Sequence, residues 1–295
     1  MTRRGSLAWL TRDPRGRLRR LGLRLTVTPP RTVLEKRWLA RTSDLTAADI
    51  QLLGRVDSRV HPYEDMYGGD GRHYFSVAVS AVRCIDAALA AAGASAPEAI
   101  LDMPCGFGRV LRSLVARFPE ASVTACDVRP SAVRFCAQRF GAEPVIGLAA
   151  FEDLSFPQPY DLIWCGSLVT HLAAPQTLAL LALFARSARP GALIVFTTHG
   201  ETVARAINDG ADYMLGPAGV SSLAHSYQRS GYGYANYPWE QHYGISVVAP
   251  QWIRSNVEPS TGLREVYFSE RGWDSHQDVF GFVKPSVGCR DAPVF

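Results

Sequence analysis

The sequence lacks the cysteine and histidine patterns of metal and redox sites. Its six cysteines form no Cys-x-x-Cys pair and no zinc spacing, and there is no His-Glu-x-x-His motif. Cys105, Cys126 and Cys165 lie on predicted strands or strand ends, where a thiol behaves as a small hydrophobe. These absences argue against zinc or catechol-type metal chemistry, and they favour a reduced, cytoplasmic location.

Long hydrophobic runs are also absent. No apolar run approaches the roughly 18–20 residues that span a membrane, and no hydrophobic segment follows Arg3-Arg4 as it would in a secretion signal. Of the 295 residues, 47% are hydrophobic, enough to bury one large core or a core plus a lid. We therefore expect neither a membrane span nor a signal peptide.

Acidic residues are scarce near the N-terminus. Residues 1–41 contain twelve Lys and Arg but only Asp13 and Glu35 as acids, a net charge of +10, whereas the remainder carries −6. A basic, partly disordered arm over 1–41 could contact anionic membrane lipid, serve as a transit peptide or be a solvated extension. Because aromatic residues are not interleaved with its basic residues, we expect no nucleic-acid partner.

The most informative stretch is residues 99–127. A short apolar strand (99–103) enters a glycine turn, a helical pattern (108–118) follows, and a second apolar strand (122–127) ends on a carboxylate. This order is typical of a nucleotide-binding βαβ unit. Gly106 and Gly108 let the backbone approach a ligand. The Asp127 carboxylate could accept hydrogen bonds from both hydroxyls of an adenosine ribose.

The turn differs from the dinucleotide fingerprint, because Gly106-Phe-Gly108 is followed by Arg-Val-Leu and the third glycine is missing. The segment Asp102-Met-Pro104-Cys-Gly106-Phe-Gly108 instead resembles motif I, D/E-x-G-x-G-x-G, of class I S-adenosylmethionine (SAM) methyltransferases, with proline at the first glycine. The resemblance covers roughly residues 95–285. A Rossmann-like unit that binds NAD, or nothing, is the alternative.

The resemblance implies SAM as the cofactor and a set of residues that bind it. They lie at or after the ends of the first four strands: Asp102, Pro104, Cys105, Gly106, Gly108, Asp127, Val128, Phe151 and Cys165. Family members often have an acid after the third strand, where this chain has Ala150. Phe151 would then contact the adenine, and Glu152 or Asp153 could replace the acid.

The chain continues to alternate strands with helices beyond this unit. Further strands are predicted at 144–148, 160–165, 192–198, 262–268 and 277–284, and helices at 131–140, 175–188 and 250–257. About ten residues join the last two strands, too few for a helical crossover, so this pair should be antiparallel. The predicted fold class is a doubly wound, Rossmann-like α/β fold, whose sheet has seven strands with the last reversed, as in the family.

Two segments fall outside this alternation. Residues 42–94 are predicted to be a helical lid over the cofactor, ahead of a methyltransferase domain at 95–295; Tyr63, Tyr67, His73 and Tyr74 are candidates to cover the cofactor or to pack in the core. Residues 200–249 form an insertion after the fifth strand, with five aromatic residues within 231–244. These rings could stack on a sugar or another flat ligand, or pack on the sheet edge.

Three histidines follow strand ends, where ligands of open α/β sheets bind. His171 follows the fourth strand, His199 ends the fifth, and His276 lies between the last two. Family members of similar layout carry a histidine base after strand four, so His171 is the first candidate for the general base of methyl transfer to a hydroxyl. His276, with Asp274 to orient it, and His199 follow; each could instead be structural.

The sequence therefore predicts SAM-dependent methylation of a small molecule or glycan, most favourably at a hydroxyl. The fourth strand ends in Trp-Cys165-Gly-Ser, without the Asn/Asp-Pro-Pro-Tyr/Phe motif of enzymes that methylate planar amino groups. A non-catalytic SAM- or nucleotide-binding partner and an NAD(P)-linked oxidoreductase remain as alternatives. Neither the methyl acceptor nor the oligomeric state is specified by these patterns.

Overall fold

The computed structural model describes residues 29–42 and 44–286. Within these residues the helices are α1 Pro29–Thr42, α2 Ala47–Arg55, α3 Gly71–Ala92, α4 Leu111–Arg117, α5 Pro130–Phe140, α6 Ala174–Ser187, α7 Glu201–Asn208, α8 Gly216–Ser230 and α9 Pro250–Thr261. The strands are β1 Ala99–Asp102, β2 Ser122–Asp127, β3 Glu143–Ile146, β4 Tyr160–Cys165, β5 Ala188–Thr198, β6 Tyr232–Asn236, β7 Gly244–Val248, β8 Arg264–Trp273 and β9 Gln277–Val283.

Seven strands form one sheet in the order β3-β2-β1-β4-β5-β9-β8. The first five are parallel, and β9 runs antiparallel to both β5 and β8. The alternating pattern and the antiparallel last pair are thus confirmed, with boundaries that mostly shift by a few residues. The parallel order places the ends of β1, β2, β4 and β5 along one edge, which is where the site lies.

The sheet is covered on both faces, as expected from its continuous apolar strands. One core cluster contains Tyr160, Phe184 and Phe196, and the other contains Ile85, Leu111 and Trp164. These side chains are almost wholly inaccessible to solvent. Burying one such side chain stabilises the fold by about 1.5–3 kcal/mol. The site at the sheet edge therefore rests on a rigid support.

Helix α3 is longer and more apolar than the sequence analysis expected of any segment. Residues Gly71–Ala92 are long and apolar enough to cross a membrane by length and composition, and 56% of the qualifying window is buried. The Asp70 carboxylate accepts hydrogen bonds from the first-turn amides of Arg72 and His73, and Gly93 ends the helix in a left-handed conformation. Because α3 packs against the sheet through Val77, Ile85 and other residues, it is a core helix.

The segments that flank the sheet domain have small cores of their own. Helices α1 and α2 pack with α3 around Leu39, Leu53 and Phe75. Helix α1 occupies residues 29–41 of the segment for which a basic arm was predicted; residues 1–28 lie outside the described residues. The insertion forms α7, α8 and the antiparallel β6–β7 hairpin, packed around Leu223 and Val247.

Candidate functional site

The loop between β1 and α4 uses its two glycines in different ways. Gly106 has φ +52°, and a Cβ atom there would meet only Arg129 Nη2, at 3.5 Å. Gly108 has φ +79°, and a Cβ atom there would lie 2.5 Å from the Phe140 ring of α5. Gly106 therefore keeps open the space beside the loop, whereas Gly108 allows the loop to pack against α5.

Asp127 closes this loop from the end of β2. The Gly106 amide donates a hydrogen bond to Oδ2 at 2.9 Å, and the Arg129 amide donates to Oδ1 at 2.9 Å. The Arg129 guanidinium adds an ion pair through Nε at 3.2 Å and lies over the Phe107 ring. A carboxylate has about four lone-pair positions, so Asp127 keeps limited capacity for a further donor.

Asp102 ends β1 below the loop and is buried. Neither of its carboxylate oxygens has a hydrogen-bond partner. Burial, and then the charge of Asp127, raise the pKa of Asp102 well above its usual range. An unpartnered buried carboxyl group is costly, and such groups concentrate at functional sites.

The remaining predicted cofactor residues divide into accessible and buried ones. Val128 is exposed and lies beside Ile146 and Leu148 at the ends of β2 and β3. Of these three apolar residues, the sequence analysis identified only Val128. Pro104 is half-buried. Cys105, Phe151 and Cys165 are buried in the core clusters, so these three side chains contribute little surface to the cleft.

The N-terminal segment covers the loop through residues that sequence reasoning missed. The His61 ring stacks on Phe107 with 4.1 Å between ring centroids and 5° between planes. The buried Arg112 guanidinium donates to the backbone carbonyls of Asp57 and Arg59. No motif marks His61 or Arg112 in the sequence.

The four aromatic candidates from this segment do not converge on the loop. Tyr67 and Tyr74 are buried, and their hydroxyls donate to Glu35 and Glu64. Exposed His73 faces Asp274 at 3.6 Å, and Tyr63 contacts His61. Tyr67 and Tyr74 thus serve packing.

His171 and His199 are both held by the open edge of β7. His171 Nδ1 lies 2.7 Å from the Gly244 carbonyl oxygen, and His199 Nδ1 lies 3.2 Å from that of Ser246. Because a carbonyl oxygen only accepts, each ring must carry its proton on Nδ1, which leaves Nε2 with a free lone pair. The Ser246 hydroxyl also donates to the Val169 carbonyl, which ties β7 to the segment before His171.

The three predicted histidines lie in one region. The rings of His199 and His276 are 5.4 Å apart. Burial lowers the pKa of His199 to about 3, with further lowering from the charges of His171 and His276. Burial also lowers the pKa of His171, against a smaller opposing effect of the Gly244 carbonyl. Both His171 and His199 are therefore neutral at pH 7.

A polar network lies between the strand ends that carry these histidines. The Ser167 amide donates to Thr197 Oγ1, and that hydroxyl donates to Gln277 Oε1 at 2.6 Å. The Gln277 amide group donates in turn to the Ser167 hydroxyl. Ser167 has a left-handed backbone (φ +58°), a strained conformation of the kind found at functional sites. The sequence contained no signal for this network, since its members come from three distant segments.

A family described as a methyltransferase domain matches residues 100–191. These residues include the glycine loop, Asp127 and His171, and they contain strands β1 to β4 and the start of β5. Residues 100–191, about a third of the chain, are therefore similar to this methyltransferase-domain family. SAM is the cofactor of this methyltransferase domain, as predicted, and the match does not support an NAD(P)-linked oxidoreductase.

Two curated methyltransferases are similar to part of the chain. A malonyl-[acyl-carrier protein] O-methyltransferase of Anoxybacillus flavithermus is 31% identical over 121 residues, 40% of this chain and 46% of that protein. A trans-aconitate 2-methyltransferase of Methylobacterium nodulans is 30% identical over 127 residues, 41% of this chain and 46% of that protein. The matched regions therefore span somewhat less than half of either relative.

Among solved structures, Streptomyces venezuelae DesVI superposes with a TM-score of 0.50 and 15% sequence identity, over 72% of this chain and 93% of that one. At this identity the likeness concerns the fold alone. It agrees with the Rossmann-like strand order of the sheet.

Proposed function

We propose that this protein transfers a methyl group from SAM to an oxygen atom, in the first instance a hydroxyl, of a small molecule or glycan. His171 is the general base. The observation that carries this proposal is the 2.7 Å contact between His171 Nδ1 and the Gly244 carbonyl oxygen, because it fixes the tautomer whose Nε2 can accept a proton.

The residues around the β1–α4 loop fit SAM. Asp127 would accept from the ribose, the space that Gly106 keeps open would take the methionine part, and Val128, with Ile146 and Leu148, would contact the adenine. Asp102 lies below this loop, and its buried carboxyl oxygens have no hydrogen-bond partner. When bound, SAM supplies an electrophilic methyl group on a sulfonium, so the protein has to align the acceptor and remove its proton.

His171 is preferred to His199 on basicity. A general base works best when its pKa is near the operating pH, and burial lowers the pKa of His199 to about 3. The 200–249 insertion then acts on catalysis through the Gly244 carbonyl of β7.

His171→Ala tests the assignment. We expect SAM affinity to be nearly unchanged and turnover to fall by about 10²–10⁴-fold, the usual effect of removing a general base. In the parent protein the rate should rise with pH through one ionisation below the ordinary histidine value of 6.5, because burial lowers the pKa of His171. That inflection should vanish in the variant.

The acceptor for these assays is to be found by mass spectrometry of small molecules and glycans from cells with and without the protein. His225→Ala is the matched control, since His225 is exposed on α8. A purified protein that binds SAM but forms no S-adenosylhomocysteine with any acceptor would instead be a non-catalytic binding partner.

A carboxylate acceptor is the second candidate function. The names of the two curated relatives refer to malonyl-[acyl-carrier protein] and trans-aconitate, and both compounds carry free carboxylates. A carboxylate is already nucleophilic at neutral pH and needs no base. Near-parental turnover in His171→Ala, His199→Ala and His276→Ala would therefore contradict the hydroxyl proposal and favour a carboxylate.

A further inference from the structure

The tip of the β6–β7 hairpin carries three aromatic side chains that we term the aromatic cluster: Tyr237, Trp239 and Tyr243. Tyr237 and Trp239 stack with 5.1 Å between centroids and 7° between planes. Tyr243 lies 5.9 Å from Tyr237 and stacks on the His171 ring at 4.8 Å and 21°. The cluster therefore extends directly from the proposed base.

The cluster presents ring surface to solvent. Trp239 is 54% exposed and Tyr243 39%, whereas Tyr237 between them is only 8% exposed. Single exposed aromatic side chains are common on protein surfaces. Here, however, two exposed rings flank a buried one and lead to a histidine that is held by a backbone carbonyl. Contiguous apolar surfaces of this kind are found at binding sites.

The surroundings of the cluster fit an uncharged ring. Aromatic faces attract rings that have an apolar face, whereas recognition of a carboxylate favours a free arginine or lysine. The groups that contact His171 are tyrosines and a carbonyl oxygen. Arg129, whose charge acts on the Tyr243 hydroxyl, is paired with Asp127.

We propose that the aromatic cluster binds a hydroxylated ring with an apolar face, either a sugar or a phenol, and directs one hydroxyl toward His171. This inference rests on the proposed methyl transfer to a hydroxyl and names the acceptor class. Both ring types share the apolar face that the cluster recognises, so separate probes distinguish them.

The test measures probe binding to protein saturated with S-adenosylhomocysteine. The probes are methyl β-glucoside, phenol and malonate, and saturation-transfer-difference NMR gives the dissociation constants. The variants are Trp239→Ala and Tyr243→Ala, with Tyr243→Phe to retain the ring. Trp38→Ala is the matched control, because Trp38 is 53% exposed and lies on α1, outside the hairpin.

We expect one ring probe to bind the parent, Trp38→Ala and Tyr243→Phe alike. Each alanine variant in the cluster should weaken that binding by about 2- to 10-fold, the effect of one aromatic contact. The inference is overturned if neither ring probe binds the parent, if the alanine variants bind as tightly as the parent, or if malonate shows the cluster dependence.

Binding of S-adenosylhomocysteine, measured by calorimetry on the same samples, separates this inference from the proposed function. If the cofactor product binds and the ring probes fail, only the acceptor class is wrong. If the parent does not bind S-adenosylhomocysteine, the methyltransferase proposal itself fails. Thermal unfolding of each variant identifies any that do not fold, and Tyr243→Phe then decides whether the ring or the hydroxyl matters.

Discussion

Asp127 combines a structural contact with a proposed ligand contact. Its two oxygens already accept from Gly106 and from the amide and guanidinium of Arg129. A ribose diol would need two acceptor positions, and only about one remains. We therefore expect one ribose hydroxyl to donate to the remaining position of Asp127 when SAM binds, while the Gly106 and Arg129 contacts persist.

Replacing Asp127 should weaken SAM binding. Asp127→Ala removes a charged acceptor, so calorimetry should show a loss of about 1–3 kcal/mol of binding free energy. Asp161→Asn is the control: Asp161 is similarly bonded, to the Ala99 amide and Arg189, but lies at the start of β4, on the opposite edge of the sheet. Unchanged SAM affinity in a folded Asp127→Ala protein would refute the assignment.

Gly108 allows a comparison of packing with backbone strain. Both Gly108 and Gly141 have a left-handed backbone, but only at Gly108 would a Cβ atom collide, 2.5 Å from Phe140. Left-handed φ costs a non-glycine residue about 1–2 kcal/mol, and overpacking costs about 1–3 kcal/mol more. Urea unfolding should therefore show a larger loss for Gly108→Ala than for Gly141→Ala. Equal losses would mean that Phe140 moves freely.

At the scale of elements, the sequence predicted the sheet strands and the helices between them better than it predicted helix α1 and the insertion. The sheet strands and the helices between them were readable because continuous apolar runs and helical periodicity reflect burial on a sheet. Helix α1 was missed because its composition is basic, although Arg31 and Glu35 hold it to the 67–69 turn. The secondary structure of the insertion could not be predicted, because its Tyr-Gly repeats show neither the helical period of 3.6 residues nor the strand period of two.

The same distinction applies to the site. Asp127, Gly106 and the three histidines could be located because they follow predicted strands. The β7 carbonyls that hold His171 and His199 could not, since a backbone acceptor leaves no trace in residue type. The Thr197–Gln277–Ser167 network depends on tertiary pairing of β5 with β9, which local patterns do not encode.

At the scale of the whole molecule, most of the positive charge of residues 1–41 precedes helix α1. Eight of the twelve basic residues in 1–41 precede residue 29. Helix α1 is part of the N-terminal core through Leu39, so a deletion that removes it would disturb folding. A deletion meant to test membrane contact must therefore stop at residue 28.

We expect removal of residues 2–28 to abolish co-sedimentation with anionic liposomes at low salt, because the attraction to such a surface is electrostatic. Soluble turnover should be unchanged. Neutral liposomes provide the control for non-specific sedimentation. Co-sedimentation that survives the deletion, or that the full chain never shows, rules out the arm as a membrane contact.

The edge of β7 lies outside the family-matched residues 100–191, yet its carbonyls fix the histidine tautomers. In the proposed mechanism, binding of the methyl donor and transfer of its methyl group thus depend on segments that can change independently. A variant with a shorter β6–β7 hairpin would still bind SAM but would not transfer its methyl group. A variant in which only the side chains of the hairpin differ would keep the reaction and accept different substrates, because side-chain substitutions leave the backbone carbonyls in place.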